Sequence, residues 1–233
     1  MKQKEYKCIF FDLDHTLWDY ETNSQESLNE LYERYQLSQL GTAPFSQFYQ
    51  HFVRVNTHIW HQYDRGEIHR DVIRNERFHR VFKEAGLDNY DLSLQFSADY
   101  IEESPRKSAL VPHALEILQY LKEKYPLVII TNGFEEIQGT KLKSSGITHY
   151  FDGVVTSARA GHKKPAKEIF EFALKEHGFQ SHETIMVGDN LTTDIAGARN
   201  AAIDQVFFNP GRLPHEEKVD YEIQSLRELT YIL

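Results

Sequence analysis

The sequence predicts an α/β protein: a doubly wound parallel sheet interrupted by one all-helical insertion. Three observations predict it. Short apolar, β-rich runs recur along the chain; from residue 110 onward they alternate with segments of helical periodicity; and residues 21–106 show helical periodicity alone.

The first run, residues 7–11, is continuously apolar after its lysine, as a strand buried on both faces must be. Comparable runs follow at 127–131, 154–156, 184–187 and 205–208. Between them, residues 112–124 set Leu115, Leu118 and Leu121 on one helical face; 135–145 are closed by Gly146, 166–177 by Gly178, and 192–201 form a last helix. The closing stretch "YEIQSLRELTYIL" reads as one short edge strand and a helix. In the insertion, Leu28, Leu31 and Tyr35 repeat at helical spacing, as do Phe48, Phe52, Val55, Ile59 and Tyr63, then Phe78, Val81, Phe82 and Ala85 before Gly86. Four or five helices result, bordered by polar "YETNSQ" and "EESPRKS", as hinge linkers are. The expected division is a Rossmann-like core of residues 1–20 and 107–233 and a helical domain of residues 21–106 inserted after the first strand.

Composition narrows the function. The 233 residues carry 35 acidic against 26 basic side chains, a formal charge of -9, which repels a nucleic-acid polymer while leaving room for a local cationic pocket holding one small phosphate. Cys8 is the one cysteine; it lies in the first apolar run and suits a structural role in a reducing compartment. The first seven residues are polar where a secretory signal needs an apolar core, and no stretch approaches the ~20 apolar residues of a membrane span. The expectation is a soluble, cytoplasmic protein with no membrane partner.

Four predicted strand ends carry polar residues of related use. "IFFDLDHTLWDY" supplies Asp12 and Asp14, "VIITNGF" supplies Thr131 and Asn132, "GHKKPAKEIF" supplies Lys164, and "IMVGDNLTTD" supplies Asp189 and Asp194. Each has a plain alternative: Asp14 suits an Asx-turn, "TNG" a turn, "KKP" a helix start, and Asp194 a helix N-terminal charge. Together, in this order and at the mouth of one parallel sheet, they form a joint signal.

These residues resemble the haloacid dehalogenase-like hydrolase superfamily, whose four motifs occur in this order and whose helical cap is inserted where residues 21–106 lie. Asp12, Asp14, Thr16 and Leu17 match its Asp-x-Asp-x-Thr-Leu motif. The resemblance implies a phosphomonoester hydrolase acting through an aspartyl-phosphate, with Asp12 as nucleophile and Asp14 as general acid and then base. Thr131 and the Asn132 N–H would donate to the phosphoryl oxygens, and Lys164 would supply fixed positive charge. It also implies Mg²⁺, held by Asp12, the Asp14 main-chain carbonyl and Asp189, with Asp194 as ligand or orienter. The physical need is plain: an anionic nucleophile approaches an anionic ester only where cations neutralise both.

The second aspartate bears on reaction type, because dehalogenases of this superfamily, which attack carbon without Mg²⁺, lack it. Two positions depart from the pattern: Ala158 stands where many relatives carry an acidic residue, and Asn190 where a small hydroxyl residue is frequent. Lys163 adjoins Lys164; Lys164 is chosen because it directly precedes Pro165.

"FFDLDHTLWD", "TNGF" and the stretch from Asn56 through Trp60 to Arg77 look most like the house-cleaning pyrimidine 5'-nucleotidases. By that resemblance the partner is a small phosphorylated metabolite, a nucleoside 5'-monophosphate, and His15, Asn56, Trp60 and Arg77 are candidates for reading it. The alternatives are another small-molecule phosphatase, a sugar phosphomutase, or a catalytically silent phosphate-binding protein. His58 and His61, three apart, lack the third ligand that a zinc site needs.

Overall fold

The structure, a computed structural model, describes residues 4–233. Its sheet has six parallel strands: β1 (Cys8–Phe11), β2 (Leu127–Thr131), β3 (Gly153–Thr156), β4 (Thr184–Gly188), β5 (Asp204–Phe208) and β6 (Tyr221–Ile223), ordered β3-β2-β1-β4-β5-β6. Between β1 and β2 come α1 (Tyr20–Arg34), α2 (Phe45–Asp64), α3 (Arg70–Asn75), α4 (Arg77–Glu84), α5 (Tyr90–Glu103) and α6 (Ala114–Lys122). Beyond β2 lie α7 (Glu135–Ser144), α8 (Ser157–Ala160), α9 (Lys167–His177) and α10 (Ala196–Asn200). The strands agree with the sequence reading to within one residue at each end.

The chain winds outward from central β1 to β2 and β3, then returns to the other side of β1 for β4, β5 and β6. The winding therefore reverses between β1 and β4, where the carboxyl ends of an open parallel sheet leave a crevice. Asp12 directly follows β1 and Asp189 directly follows β4, with Phe11 in register with Val187.

Strand periodicity explains the continuous apolar runs. Ile9 and Phe11 of β1, with Leu127 and Ile129 of β2, face a core completed by Ile117, Leu118 and Leu121 of α6 and by Leu142 of α7. Cys8 and Phe10, with Val128 and Ile130, face the opposite core, built on Ile169, Phe170 and Ala173 of α9 and Ala198 of α10. Alternate residues enter opposite layers, so every position of the strand is apolar.

Two helical expectations need correction. In α6 the buried residues are Ala114, Ile117, Leu118 and Leu121, whereas Leu115 is exposed. At 3.6 residues per turn, Leu115 lies about 100° from the centre of that stripe, beyond the face pressed on the sheet. The helix expected over residues 192–201 is a π-helical turn, Leu191–Ile195, leading into the short α10. Its wide first turn is set by Asn190, whose side-chain oxygen accepts from the N–H groups of Thr192 and Thr193.

The chain divides into two compact units: residues up to Tyr20 with Ser108–Leu233, and Glu21–Lys107. The second unit is helical and packs around Phe48, Phe52, Phe78, Phe82 and Phe96, all buried. Phe52 stacks on Phe78 and the other ring pairs meet edge to face or tilted, with Phe78 and Phe96 centroids 4.9 Å apart. Tyr35 and Tyr63, at the ends of their apolar stripes, are half-buried. Arg34 grips Glu103 with two hydrogen bonds of 2.7 and 2.5 Å, joining α1 to α5. Among the described residues, no helix is long and apolar enough to cross a membrane.

Candidate active site

Four loops leave the carboxyl ends of β1, β2, β3 and β4, and their polar residues converge. Lys164, on the loop between α8 and α9, is buried; its ammonium donates to Asp12 Oδ1 at 2.5 Å, Asp194 Oδ1 at 2.7 Å and the carbonyl of Ile130 at 2.8 Å. Asn132 fixes the backbone that carries this lysine. Its Oδ1 accepts from the Lys164 N–H at 2.8 Å, and its Nδ2 donates to the Lys164 carbonyl at 3.0 Å. The adjoining Lys163 is only half-buried, whereas Lys164 is buried with its ammonium on Asp12 and Asp194.

Asp12, Asp189 and Asp194 form an acidic cluster, with one oxygen from each lying within 4.8 Å of the others. Asp189 is steadied by Thr16, whose hydroxyl donates to its Oδ1 at 3.0 Å. Asp194 is held at both oxygens, by Lys164 at Oδ1 and by the Asn190 N–H at Oδ2, 3.1 Å away. Gly188 makes room for it, because a Cβ at that position would fall 2.3 Å from Asp194 Oδ2. Asn190, the departure from the motif, thus shapes the turn with its side chain and orients Asp194 with its backbone.

Asp14 stands apart from the cluster. Its Oδ1 accepts from Lys141 Nζ at 2.5 Å and its Oδ2 from Gln138 Nε2 at 3.0 Å, both donors being on α7. Gln138 also donates to Thr131 Oγ1 at 2.7 Å. The Lys141 ammonium sits over the Trp18 ring, 4.5 Å from its centroid, a cation–π contact that offsets part of its burial. The two aspartates of the first motif therefore have separate lysines on separate elements, which reduces the conflict their spacing implies.

These partners set the protonation states. Burial raises the proton affinity of Asp12 well above the usual carboxylate range; Lys164 opposes this, while Asp194 and Asp189 add to it by repulsion. Burial works against a charged Lys164, but Asp12 and Asp194 outweigh it and keep the ammonium protonated. Asp189 is pushed up to about 6, by burial and then by the Asp194 charge. For Asp14, burial favours the neutral acid, yet Lys141, with help from Gln138 and His15, outweighs it and lowers the carboxyl below its ordinary value. Four carboxylates thus face two ammonium groups, and the surplus negative charge lies at the Asp12–Asp189–Asp194 cluster. An all-carboxylate, surplus-negative donor set fits a hard divalent cation such as Mg²⁺.

The remaining candidates divide between the units. His15 adopts a left-handed backbone conformation (φ 64°) and stacks on Tyr20, with ring centroids 4.7 Å apart. In the helical unit the structure brings Asn56 and Arg77 together: Arg77 Nη1 donates to Asn56 Oδ1 at 3.1 Å, and the guanidinium lies against Phe78 and Tyr100 at 4.9 and 5.0 Å. Trp60, one turn beyond Asn56 on α2, is half-buried and meets the edge of Tyr63.

Gln138 and Lys141 were not legible as site residues in the sequence. Their signal is a pair of polar residues three apart on α7, both buried, in a helix whose other polar residues are exposed or half-buried. Burial of that pair is visible only once the helix is folded onto the sheet.

A family model described as a haloacid dehalogenase-like hydrolase matches residues 6–202. The pyrimidine 5'-nucleotidase PynA of Streptococcus pneumoniae is 31% identical over 230 residues, covering 96% of this chain and 93% of its own. The ribulose-1,5-bisphosphate 5-phosphatase of Halopiger xanaduensis is 32% identical, covering 96% and 97%. The crystal structure of the Bacillus subtilis protein YfnB, bound to magnesium, superposes with a TM-score of 0.87 at 28% identity, covering 98% of this chain and 99% of that one.

Proposed function

Because the chain belongs to the haloacid dehalogenase-like hydrolases, we propose that it is a Mg²⁺-dependent phosphatase that hydrolyses nucleoside 5'-monophosphates through an aspartyl-phosphate. The observation that carries this reading is the separation of the two carboxylates: Asp12 beside Lys164 and Asp194, Asp14 on Lys141 and Gln138. This separation supports a reading in which one carboxylate bonds phosphorus and the other moves protons.

In the first step an Asp12 carboxylate oxygen attacks phosphorus and the ester P–O bond breaks. Asp14, which Lys141 favours as the carboxylate, must first take up a proton, and it then gives that proton to the departing alkoxide. In the second step Asp14, now the carboxylate that Lys141 favours, takes a proton from water; the water oxygen attacks phosphorus, the acyl-phosphate P–O bond breaks, and inorganic phosphate leaves. Lys164 holds positive charge against Asp12 throughout, and Thr131 and the Asn132 N–H donate to the phosphoryl oxygens. A magnesium ion, when bound by Asp12, the Asp14 carbonyl and Asp189, with Asp194 as ligand or orienter, supplies charge neutralisation for the phosphoryl group.

The nucleotide assignment draws support from the likeness to PynA and from Asn56, Trp60 and Arg77, which we assign to recognition of the leaving group together with His15. An indole such as Trp60 stacks on a base with a benefit of about 1–3 kcal/mol. A second reading, a phosphatase of sugar phosphates, is favoured by the likeness to the ribulose-1,5-bisphosphate 5-phosphatase. Phosphate release from a panel of nucleoside monophosphates and sugar phosphates, with Mg²⁺, decides between them. Pyrimidine nucleotides are expected to lead in kcat/KM; a lead for sugar phosphates supports the second reading, and no release from any ester overturns both.

A further inference from the structure

Thr131 Oγ1, at the end of β2, receives two hydrogen bonds: from the Gly133 N–H at 3.0 Å and from Gln138 Nε2 at 2.7 Å. A hydroxyl oxygen has two lone pairs and one hydrogen. Both lone pairs are taken, so the hydrogen must point along the remaining tetrahedral direction, and no hydrogen bond among the described residues uses it. Thr131 is buried, 2% exposed, and thus cannot be satisfied by free rotation into bulk water.

The orientation of the Gln138 amide is set by chemistry. Its two N–H groups go to Asp14 Oδ2 at 3.0 Å and to Thr131 Oγ1. Turned over, the amide would set its carbonyl against a carboxylate that Lys141 keeps ionised, a contact between two acceptors. The seat of this amide is also built: a Cβ on residue 133 would fall 2.2 Å from Gln138 Nε2 and 2.5 Å from Cδ, so only glycine at 133 leaves it space. Gln138 itself is fully buried.

We propose that Gln138 is a positioning residue of the phosphoryl site, which by donating to both Thr131 Oγ1 and Asp14 Oδ2 commits the Thr131 hydroxyl to donate to the phosphoryl oxygen. This rests on the phosphatase reading above. Without the amide, Thr131 Oγ1 keeps one donor, the hydroxyl is free to rotate, and part of its population turns away from the phosphoryl group. Gln138 acts on the phosphoryl donor through Thr131, so that part of its contribution disappears when the hydroxyl is absent, while its bond to Asp14 is lost in either background.

A double-mutant cycle tests this. Gln138→Met keeps the length and apolar stem; Thr131→Val keeps the branched shape without the hydroxyl. With p-nitrophenyl phosphate and Mg²⁺, Gln138→Met is expected to lower kcat/KM by about tenfold with Thr131 in place, the scale of a partly lost positioned donor, and by a clearly smaller factor in the Thr131→Val background, where only the bond to Asp14 is lost. The dissociation constant of inorganic phosphate, measured by calorimetry with Mg²⁺, is expected to weaken in the same coupled pattern. Gln138→Leu, apolar and of similar volume, serves in the same cycle if the methionine variant does not fold. An equal factor in both backgrounds, or no effect of removing the amide, overturns the inference while leaving the phosphatase reading intact. A wild-type chain that neither hydrolyses phosphate esters nor binds inorganic phosphate overturns both.

Discussion

The Lys164 ammonium lies 2.5 Å from Asp12 Oδ1, and both residues are buried. Removing one member of a buried pair strands the other's charge, at a cost of about 3–5 kcal/mol. Here the loss strands Asp12 and Asp194 together. Lys164→Met is therefore expected to lower the urea midpoint strongly and to reduce turnover by at least about a thousandfold. Adding Asp12→Asn to that variant is expected to restore part of the stability and none of the activity.

Asp12→Asn alone separates chemistry from folding. It removes the proposed nucleophile, and it also removes a charge that Asp194 and Asp189 repel. Phosphate release should fall to background while the metal-free melting temperature holds or rises. Full activity in this variant would show that Asp12 is not the nucleophile.

Gly188 gives a steric test. A methyl group there would fall 2.3 Å from Asp194 Oδ2 and 2.6 Å from its Cβ, a contact that something must yield to relieve. Gly188→Ala is expected to cost about 1–3 kcal/mol and to weaken Mg²⁺ binding by displacing Asp194. Gly139, in α7, meets nothing within 4 Å, so Gly139→Ala should instead stabilise by about 0.5–1 kcal/mol. Paired chemical denaturation curves compare the two.

The acidic cluster predicts an opposite pH response with and without metal. Asp189 is raised from 3.8 to about 6 in the folded chain. A raised carboxyl favours the protonated fold: its stabilising contribution is complete below the unfolded value near 4 and is lost as pH rises through about 6. Magnesium competes with that proton. The rise in melting temperature on adding Mg²⁺ should thus be small at pH 5 and larger at pH 7.5, and EDTA should abolish it. An equal rise at both values would place the ion elsewhere.

Arg77 is 4% exposed, with Asn56 and aromatic faces as its partners. If it reads the leaving group, Arg77→Met lowers kcat/KM for nucleotides by about tenfold, the worth of one charged hydrogen bond, and changes p-nitrophenyl phosphate hydrolysis by less than about twofold. Equal losses on both substrates would assign Arg77 to packing of the helical unit alone.

Most of the sheet was legible because parallel strands buried on both faces must be apolar at every position, a pattern that residues 7–11, 127–131 and 184–187 display without help from the fold. The motif residues were legible for a related reason. Asp12, Thr131 and Asp189 each end an apolar run, and polar groups at the carboxyl ends of parallel strands have a limited set of uses. Leu115 and the turn at Leu191–Ile195 were misread, because a helix stripe is located only by what it packs against and a π-helical turn depends on one side chain, Asn190.

By itself, the sequence determined the α/β class, the helical insertion, the order of the four polar strand ends and the family to which they point. Tertiary structure decided which ammonium serves which carboxylate: Lys164 for Asp12 and Asp194, Lys141 for Asp14. It also decided that Gln138 joins Asp14 to Thr131, although these residues lie 124 and 7 positions from it in the chain. The physical reason is that ion pairs and hydrogen bonds act over about 3 Å in space, at any separation in sequence. Periodicity records which side of a helix is buried against the sheet; the neighbours a buried polar group finds there are a property of the packed layers.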